Sequence, residues 1–190
     1  MRGPARLTVL SGPSGVGKGT VVDVVRRDYP QVWVSVSVTT RQPRPGETDG
    51  VEYHFVSEAE FARMVTAGEL LEHDAHFSAS YGTPRAPVLS RVARGEPVLL
   101  EIDIQGARQV RAADPRALLL FLAPPSFDEL ARRLTSRATE DPDRRHARLD
   151  RARVEMAAED EFDAVVVNDD VESAAARVVS LMIDPPDPAS

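Results

Sequence analysis

The sequence predicts an α/β protein of three layers, a parallel sheet between helices, carrying an inserted lobe. Three features lead there. Residues 98–102, 118–122 and 164–167 are apolar runs of the kind that fill interior parallel strands covered on both faces. Helix-length segments with start and stop signals precede and follow them, the alternation expected of a parallel α/β core. Between about residues 37 and 90 that alternation gives way to a loop-rich stretch, as an insertion would make it.

In chain order, residues 6–11 (RLTVLS) read as a buried strand closed by the glycine-rich residues 12–19, and residues 20–27 as a covered helix. Residues 32–38 alternate strictly and read as one strand: Val32, Val34, Val36 and Val38 face one way, Trp33, Ser35 and Ser37 the other. Residues 41–50, rich in proline and glycine, form a loop, and residues 53–56 a short strand. Ser57 and Glu60 have capping-box spacing and open a helix that Gly68 ends. Another helix covers residues 86–94 and stops at Gly95. Ser126 and Glu129 give a second capping box, for a helix running to Arg137. A long charged helix spans residues 143–160 and a last one residues 172–183. The tail 184–190 (DPPDPAS) is expected to be disordered, since proline and acid dominate it.

A chain of 190 residues suits one well-buried core rather than two full domains. A net charge of -7 argues against a general nucleic-acid or membrane-surface binder. No run approaches the roughly 20 apolar residues of a membrane span. Without cysteine there are neither disulfides nor thiolate metal sites, and a cytoplasmic enzyme is the expectation. Lys18 is the only lysine beside 22 arginines, so arginine is the ordinary basic residue here. A lysine that survives such a bias points to a site needing a compact charge on a flexible stem.

That lysine closes Gly12-Pro13-Ser14-Gly15-Val16-Gly17-Lys18, which follows a strand and opens a helix. This is the context of a phosphate-binding loop: glycines let the backbone wrap an anion, and the helix N-terminus adds partial positive charge. The general pattern places Ser or Thr after the lysine for Mg²⁺. Here Gly19 stands there and Thr20 follows, so Mg²⁺ is expected to be held mainly by phosphates and water, with Thr20 as the side chain available to it.

Beyond this loop the chain resembles the guanylate kinase family. The resemblance rests on residues 37–47 (SVTTRQPRPGE) and 50–55 (GVEYHF), then 69–72 (ELLE), 81–83 (YGT), 101–106 (EIDIQG), 123–126 (APPS) and 167–169 (VND). It covers nearly the whole chain in family order. It implies a three-layer P-loop kinase core of residues 1–36 and 91–190, a GMP-binding lobe of residues 37–90 and a lid of about residues 134–150. The implied partners are ATP and GMP, with Mg²⁺ as cofactor.

By this resemblance Ser37, Arg41, Arg44, Tyr53 and Tyr81 hold the GMP phosphate, for which forked guanidinium groups are good partners. Glu72 takes guanine's N1–H and 2-amino donors, Thr83 gives a hydrogen bond to O6, and Asp103 lies near the amino group. Adenine would leave Glu72 facing an acceptor, a mismatch that supports strong discrimination. Lys18, Arg41, Arg137 and Arg148 are the implied catalytic residues, and Arg133 joins the lid arginines over the triphosphate. Asn168 and Asp169 resemble the region flanking the adenine. Two departures fall in the lid, Ala138 where glycine is usual and Arg145 where an apolar residue is usual, and altered kinetics with preserved chemistry are expected from them. A phosphopeptide-binding relative would have lost parts of the phosphate loop. A sugar-phosphate kinase would have little use for Glu72, Thr83 and Asp103.

Overall fold

The computed structural model describes residues 7–76, 79–135 and 142–185. Five parallel strands form the main sheet: β1 (Leu7–Ser11), β2 (Trp33–Val34), β7 (Val98–Glu101), β8 (Leu118–Ala123) and β9 (Ala164–Val167), in the order β2-β7-β1-β8-β9. The first strand is central, pairing Leu10 with Glu101 on one side and with Leu120 on the other.

The apolar runs reflect burial on both faces. Leu10, Leu118, Leu120 and Leu122 pack with Val21, Val22 and Val25 of α1 (Lys18–Asp28) and Val178 of α7 (Val171–Ile183). Leu7, Val9, Leu100 and Leu119 point to the opposite face, against Val110 of α4 (Ile104–Ala113) and Val88 of α3 (Arg85–Ala93). A period of two thus divides one apolar strand between two covered faces. The three-layer α/β class expected from the sequence is the one observed.

The second sheet corrects the sequence reading. Residues 32–38 are not one strand. Ser35 N–H still donates to Leu99 O of the main sheet at 3.0 Å, whereas Ser37 O already accepts from His54 N–H at 2.8 Å. The chain changes sheets at Val36, and Val38–Thr39 becomes β3 of a separate four-stranded sheet. Its order is β4-β3-β6-β5, with β4 at His54–Phe55, β5 at Leu70–His76 and β6 at Ala79–Pro84. The stretch read as loop-rich therefore contains a β5–β6 hairpin, antiparallel in register from Glu72↔Thr83 to His76↔Ala79. One helix, α2 (Glu58–Thr66), covers it through Phe61, packed with Val38 and Leu70.

Capping signals read from the sequence appear as expected. Ser57 Oγ accepts Glu60 N–H at 3.1 Å, and Ser126 Oγ accepts Glu129 N–H at 3.2 Å. The second cap opens α5 (Phe127–Thr135). The charged helix is α6 (Pro142–Met156), shorter than expected, with a single 3-10 turn at Glu159–Glu161 after it. Helix α4 was not foreseen. Residues 186–190 of the expected tail, and Arg137 and Ala138, lie outside the described residues.

Candidate active site

Between β1 and α1 the backbone turns through Gly12 at φ 147° and Gly17 at φ 99°. A Cβ on Gly12 would stand 2.3 Å from Leu122 O, so the loop leaves the sheet in contact with the neighbouring strand and has no room for a side chain. Gly17 is the helix N-cap and offers no side-chain cap, which leaves the first N–H groups of α1 open to an anion.

Lys18 is half-buried beside them, its Nζ donating to Gly12 O at 2.7 Å and Pro13 O at 3.3 Å. Burial pulls the ammonium pKa below the usual lysine value, opposed by the negative charges of Glu101, Glu155 and Asp103. Ser14 N–H donates to Glu155 Oε2 at 2.8 Å, and Arg151 Nε donates to Glu155 Oε1 at 2.7 Å. A carboxylate from α6 thus rests on the loop's own amide. Arg148, Arg151 and Glu155 share one helix face by their spacing.

Asn168, expected to flank the adenine, follows β9 and reaches the loop from behind. It is buried, and its Nδ2 donates to Val16 O at 2.8 Å. Arg133 Nη1 reaches the same carbonyl at 3.3 Å while its Nε is held by Glu129 Oε1 at 3.1 Å. Asn168 thereby underpins the phosphate loop; its Oδ1 is buried without a donor among the described residues.

On the second sheet Arg41 meets Glu47 in a fork, both nitrogen–oxygen distances being 2.9 Å, and Arg44 N–H donates to Glu47 Oε2 at 2.6 Å. The Arg41 guanidinium and that N–H hold the Glu47 carboxyl down to about 2. The guanidinium centre also lies 5.3 Å from the Tyr53 ring, which meets Tyr81 edge-on at 5.9 Å. Ser37, Arg41, Tyr53 and Tyr81 therefore gather at β3, β4 and β6, and Arg44 stands on the adjoining loop. Glu47, which sequence reasoning quoted without giving a role, orders that loop; its signal was a carboxylate three residues after one loop arginine and six after another.

The base-reading candidates also converge. Glu72 is 5% exposed and Thr83 fully buried, cross-strand partners with Thr83 Oγ1 donating to Glu72 Oε1 at 2.6 Å. Burial raises the Glu72 carboxyl to about 7, helped by the charges of Asp103 and Asp74 and opposed by the Thr83 hydrogen bond. Asp103 caps α4, its Oδ1 accepting Gly106 N–H at 2.8 Å. Gln109, further along α4, donates to His73 O at 2.8 Å and accepts His73 N–H at 3.1 Å. This amide clamp joins the core to the second sheet.

Glu101, at the end of β7, connects the two halves. Its charge acts on the proton affinity of both Lys18 and Tyr53, and burial raises its own pKa. Sequence reasoning gave it no role, though an acid ending an apolar strand beside a phosphate loop was the available signal. Among the described residues no three acidic or histidine side chains gather to hold a metal. No described helix is long and apolar enough to cross a membrane.

A family model described as guanylate kinase matches residues 4–184. The chain is 68% identical to a guanylate kinase of Frankia casuarinae over 180 residues, 95% of this chain and 98% of that protein. It is 61% identical to one of Thermobifida fusca, over 96% of this chain and 93% of the relative. The crystal structure of a guanylate kinase from Anaplasma phagocytophilum superposes with a TM-score of 0.78 at 34% identity, covering 95% of this chain and 86% of that one. With a phosphate loop, a second sheet carrying a buried carboxylate–hydroxyl pair, and relatives this similar along nearly their whole length, the chain belongs to the guanylate kinase family.

Proposed function

We propose that the chain transfers the γ-phosphoryl group of ATP to GMP, and to dGMP, giving ADP and GDP. The observation that carries the choice of acceptor is the buried Glu72–Thr83 pair beside Asp103, an acceptor–donor set matched to a guanine edge. The family assignment supports the reaction class.

In this reading the amides of residues 14–19 and Lys18 take the β- and γ-phosphates, with Thr20 following in the first turn of α1. Lys18 then exchanges the carbonyls of Gly12 and Pro13 for phosphate oxygens, and Glu155 yields the Ser14 amide. Arg41, Arg44, Ser37, Tyr53 and Tyr81 hold the GMP phosphate, while Glu72, Thr83 and Asp103 read the base. A GMP phosphate oxygen attacks the γ-phosphorus, and the bond from that phosphorus to the β,γ-bridging oxygen breaks, its electron pair leaving with ADP. The attacking oxygen is already anionic, so no general base is required. Catalysis is alignment plus positive charge, supplied by Lys18, Arg41, Arg133, Arg137 and Arg148.

Mg²⁺ would be held mainly by the nucleotide's phosphates and water, with Thr20 and Glu101, whose Oε1 lies 3.7 Å from where a Cβ on Gly19 would stand, as the oxygen donors beside the loop, and it would supply positive charge against the phosphates. We take residues 37–90 as the GMP-binding lobe and residues 134–150 as the lid, whose closure excludes water. Both substrates are cytoplasmic metabolites, and we place the enzyme there.

The test is ADP formation with ATP, Mg²⁺ and, separately, GMP, AMP, CMP and UMP. Turnover with GMP alone supports the reading. Turnover with none of the four, from folded protein that binds ATP, overturns the acceptor. Glu72→Gln is expected to lower kcat/KM for GMP on the order of 10²-fold or more, because it puts a donor against guanine's donors.

A further inference from the structure

We propose that Gly106 is a specificity-determining positioning residue, a glycine that sets both base-facing carboxylates at once. This rests on the guanine-reading assignment above and deepens it. Gly106 lies in the first turn of α4, and its φ is not in the left-handed region, so its backbone conformation does not call for glycine. Alanine would be the better helix former there, by up to about 1 kcal/mol. Space is what requires glycine. A Cβ at this position would stand 2.6 Å from Glu72 Oε2, 3.2 Å from Glu72 Cδ and 3.2 Å from Ile102 Cδ1.

The carboxylate is held on the side away from the glycine, so yielding costs it a buried hydrogen bond. Its other oxygen is tied to Thr83 Oγ1 at 2.6 Å, and the side chain is buried. A methyl group at Gly106 must therefore turn the Glu72 carboxylate or push α4 away from β5. The second course moves Asp103 too, because Gly106 N–H is the group that holds Asp103 Oδ1 at 2.8 Å. One residue thus fixes the distance between the carboxylate aimed from the second sheet and the one aimed from the core. Displacements of this size at a recognition site matter, since productive geometry tolerates only about 0.5 Å.

The test is Gly106→Ala, with Tm, KM for GMP, KM for ATP, and the ratio of kcat/KM for GMP to that for IMP, which lacks the 2-amino group. The expected result is a GMP KM raised about 10–100-fold, an ATP KM within twofold, and a smaller GMP/IMP ratio, with Tm retained. A GMP KM within twofold of the parent enzyme overturns the proposal. So does a parallel loss in GMP KM, ATP KM and Tm, which would mark a general packing role. Should Gly106→Ala lower Tm substantially, the double variant with Ile102→Val removes the methyl 3.2 Å from the added carbon, and the same KM split is read there. Glu72→Gln separates the two levels. If it leaves GMP turnover intact, the guanine reading fails; if it abolishes turnover while Gly106→Ala does nothing, only the role of Gly106 fails.

Discussion

At the scale of a single residue, the proposed role of Glu72 ties base recognition to pH. Its carboxyl is raised to about 7, chiefly by burial, so near neutrality it is divided between an acceptor form suited to guanine and a protonated form that is not. The expected outcome is a kcat/KM for GMP that climbs as pH rises through about 7. GMP's own phosphate titrates lower, near about 6. Only that lower step is expected in Glu72→Gln, and a pH–rate profile unchanged by the substitution would refute the assignment. The same shift has a stability consequence. A carboxyl whose folded pKa exceeds its unfolded value favours folding while protonated, and that contribution disappears as pH rises from about 4.5 through about 7. Glu72→Gln is therefore expected to stabilise the protein at pH 8, by on the order of 2–3 kcal/mol, with little effect at pH 4. Thermal melts at the two pH values check it. Lys18 carries the complementary expectation. Arginine is the usual cation of this chain, yet Lys18→Arg should lower kcat on the order of 10²-fold, because a planar fork cannot replace a point charge packed against the loop.

Helix α6 poses the main question at the scale of elements, since it lays Glu155 on the Ser14 amide. A phosphate bound in the loop and the Glu155 carboxylate are both anions seeking one N–H group. Removing the charge should ease nucleotide entry, so Glu155→Gln is expected to tighten ATP binding several-fold at low salt; weaker binding by calorimetry would mean the contact holds the loop in its binding shape. Elements also differ in how far the sequence revealed them. Those whose ends carry local chemistry were legible: the Ser57 and Ser126 caps, and the stops at Gly68 and Gly95, both at positive φ. Those defined by a change of partner were not. The alternation of residues 32–38 runs unbroken through Val36 because Val34 and Val38 are both buried, though in different sheets. Periodicity records that a face is covered and is silent about what covers it. Helix α4 escaped because its cap Asp103 and the first-turn Gly106 were read only as motif residues. The hairpin of β5 and β6 escaped because its inward positions include the buried polar residues Glu72 and Thr83, which break the apolar alternation of a strand. The glycine loop between a strand and a helix was legible, while the support Asn168 gives it from 152 residues away was not.

The two sheets of the molecule are unequally stabilised. The main sheet is filled on both faces by long rows of buried Val and Leu, whereas the buried residues clustered in the second are Val38, Phe61 and Leu70. Stability is local, and elements with few buried apolar neighbours open at lower free energy. The second sheet is nonetheless tied to the core at the place proposed to read the base: Gln109 clamps His73, and Gly106 borders Glu72. A guanine bridging Glu72 and Asp103 would add to that tie, converting binding energy into docking of one sheet on the other. Amide exchange at Val38, Thr39, Tyr81 and Gly82 is thus expected to be faster than at Val9, Leu10 and Leu120 in the free enzyme. GMP should slow the first group, with little effect on the second. Small-angle scattering should register the larger counterpart, a decrease in radius of gyration when a bisubstrate analogue engages both sites. Exchange already as slow in the second sheet as in the first, or protection by GMP spread evenly over both, would mean the molecule behaves as one rigid body. Base recognition would then have to be achieved without any movement of the sheet that carries Glu72.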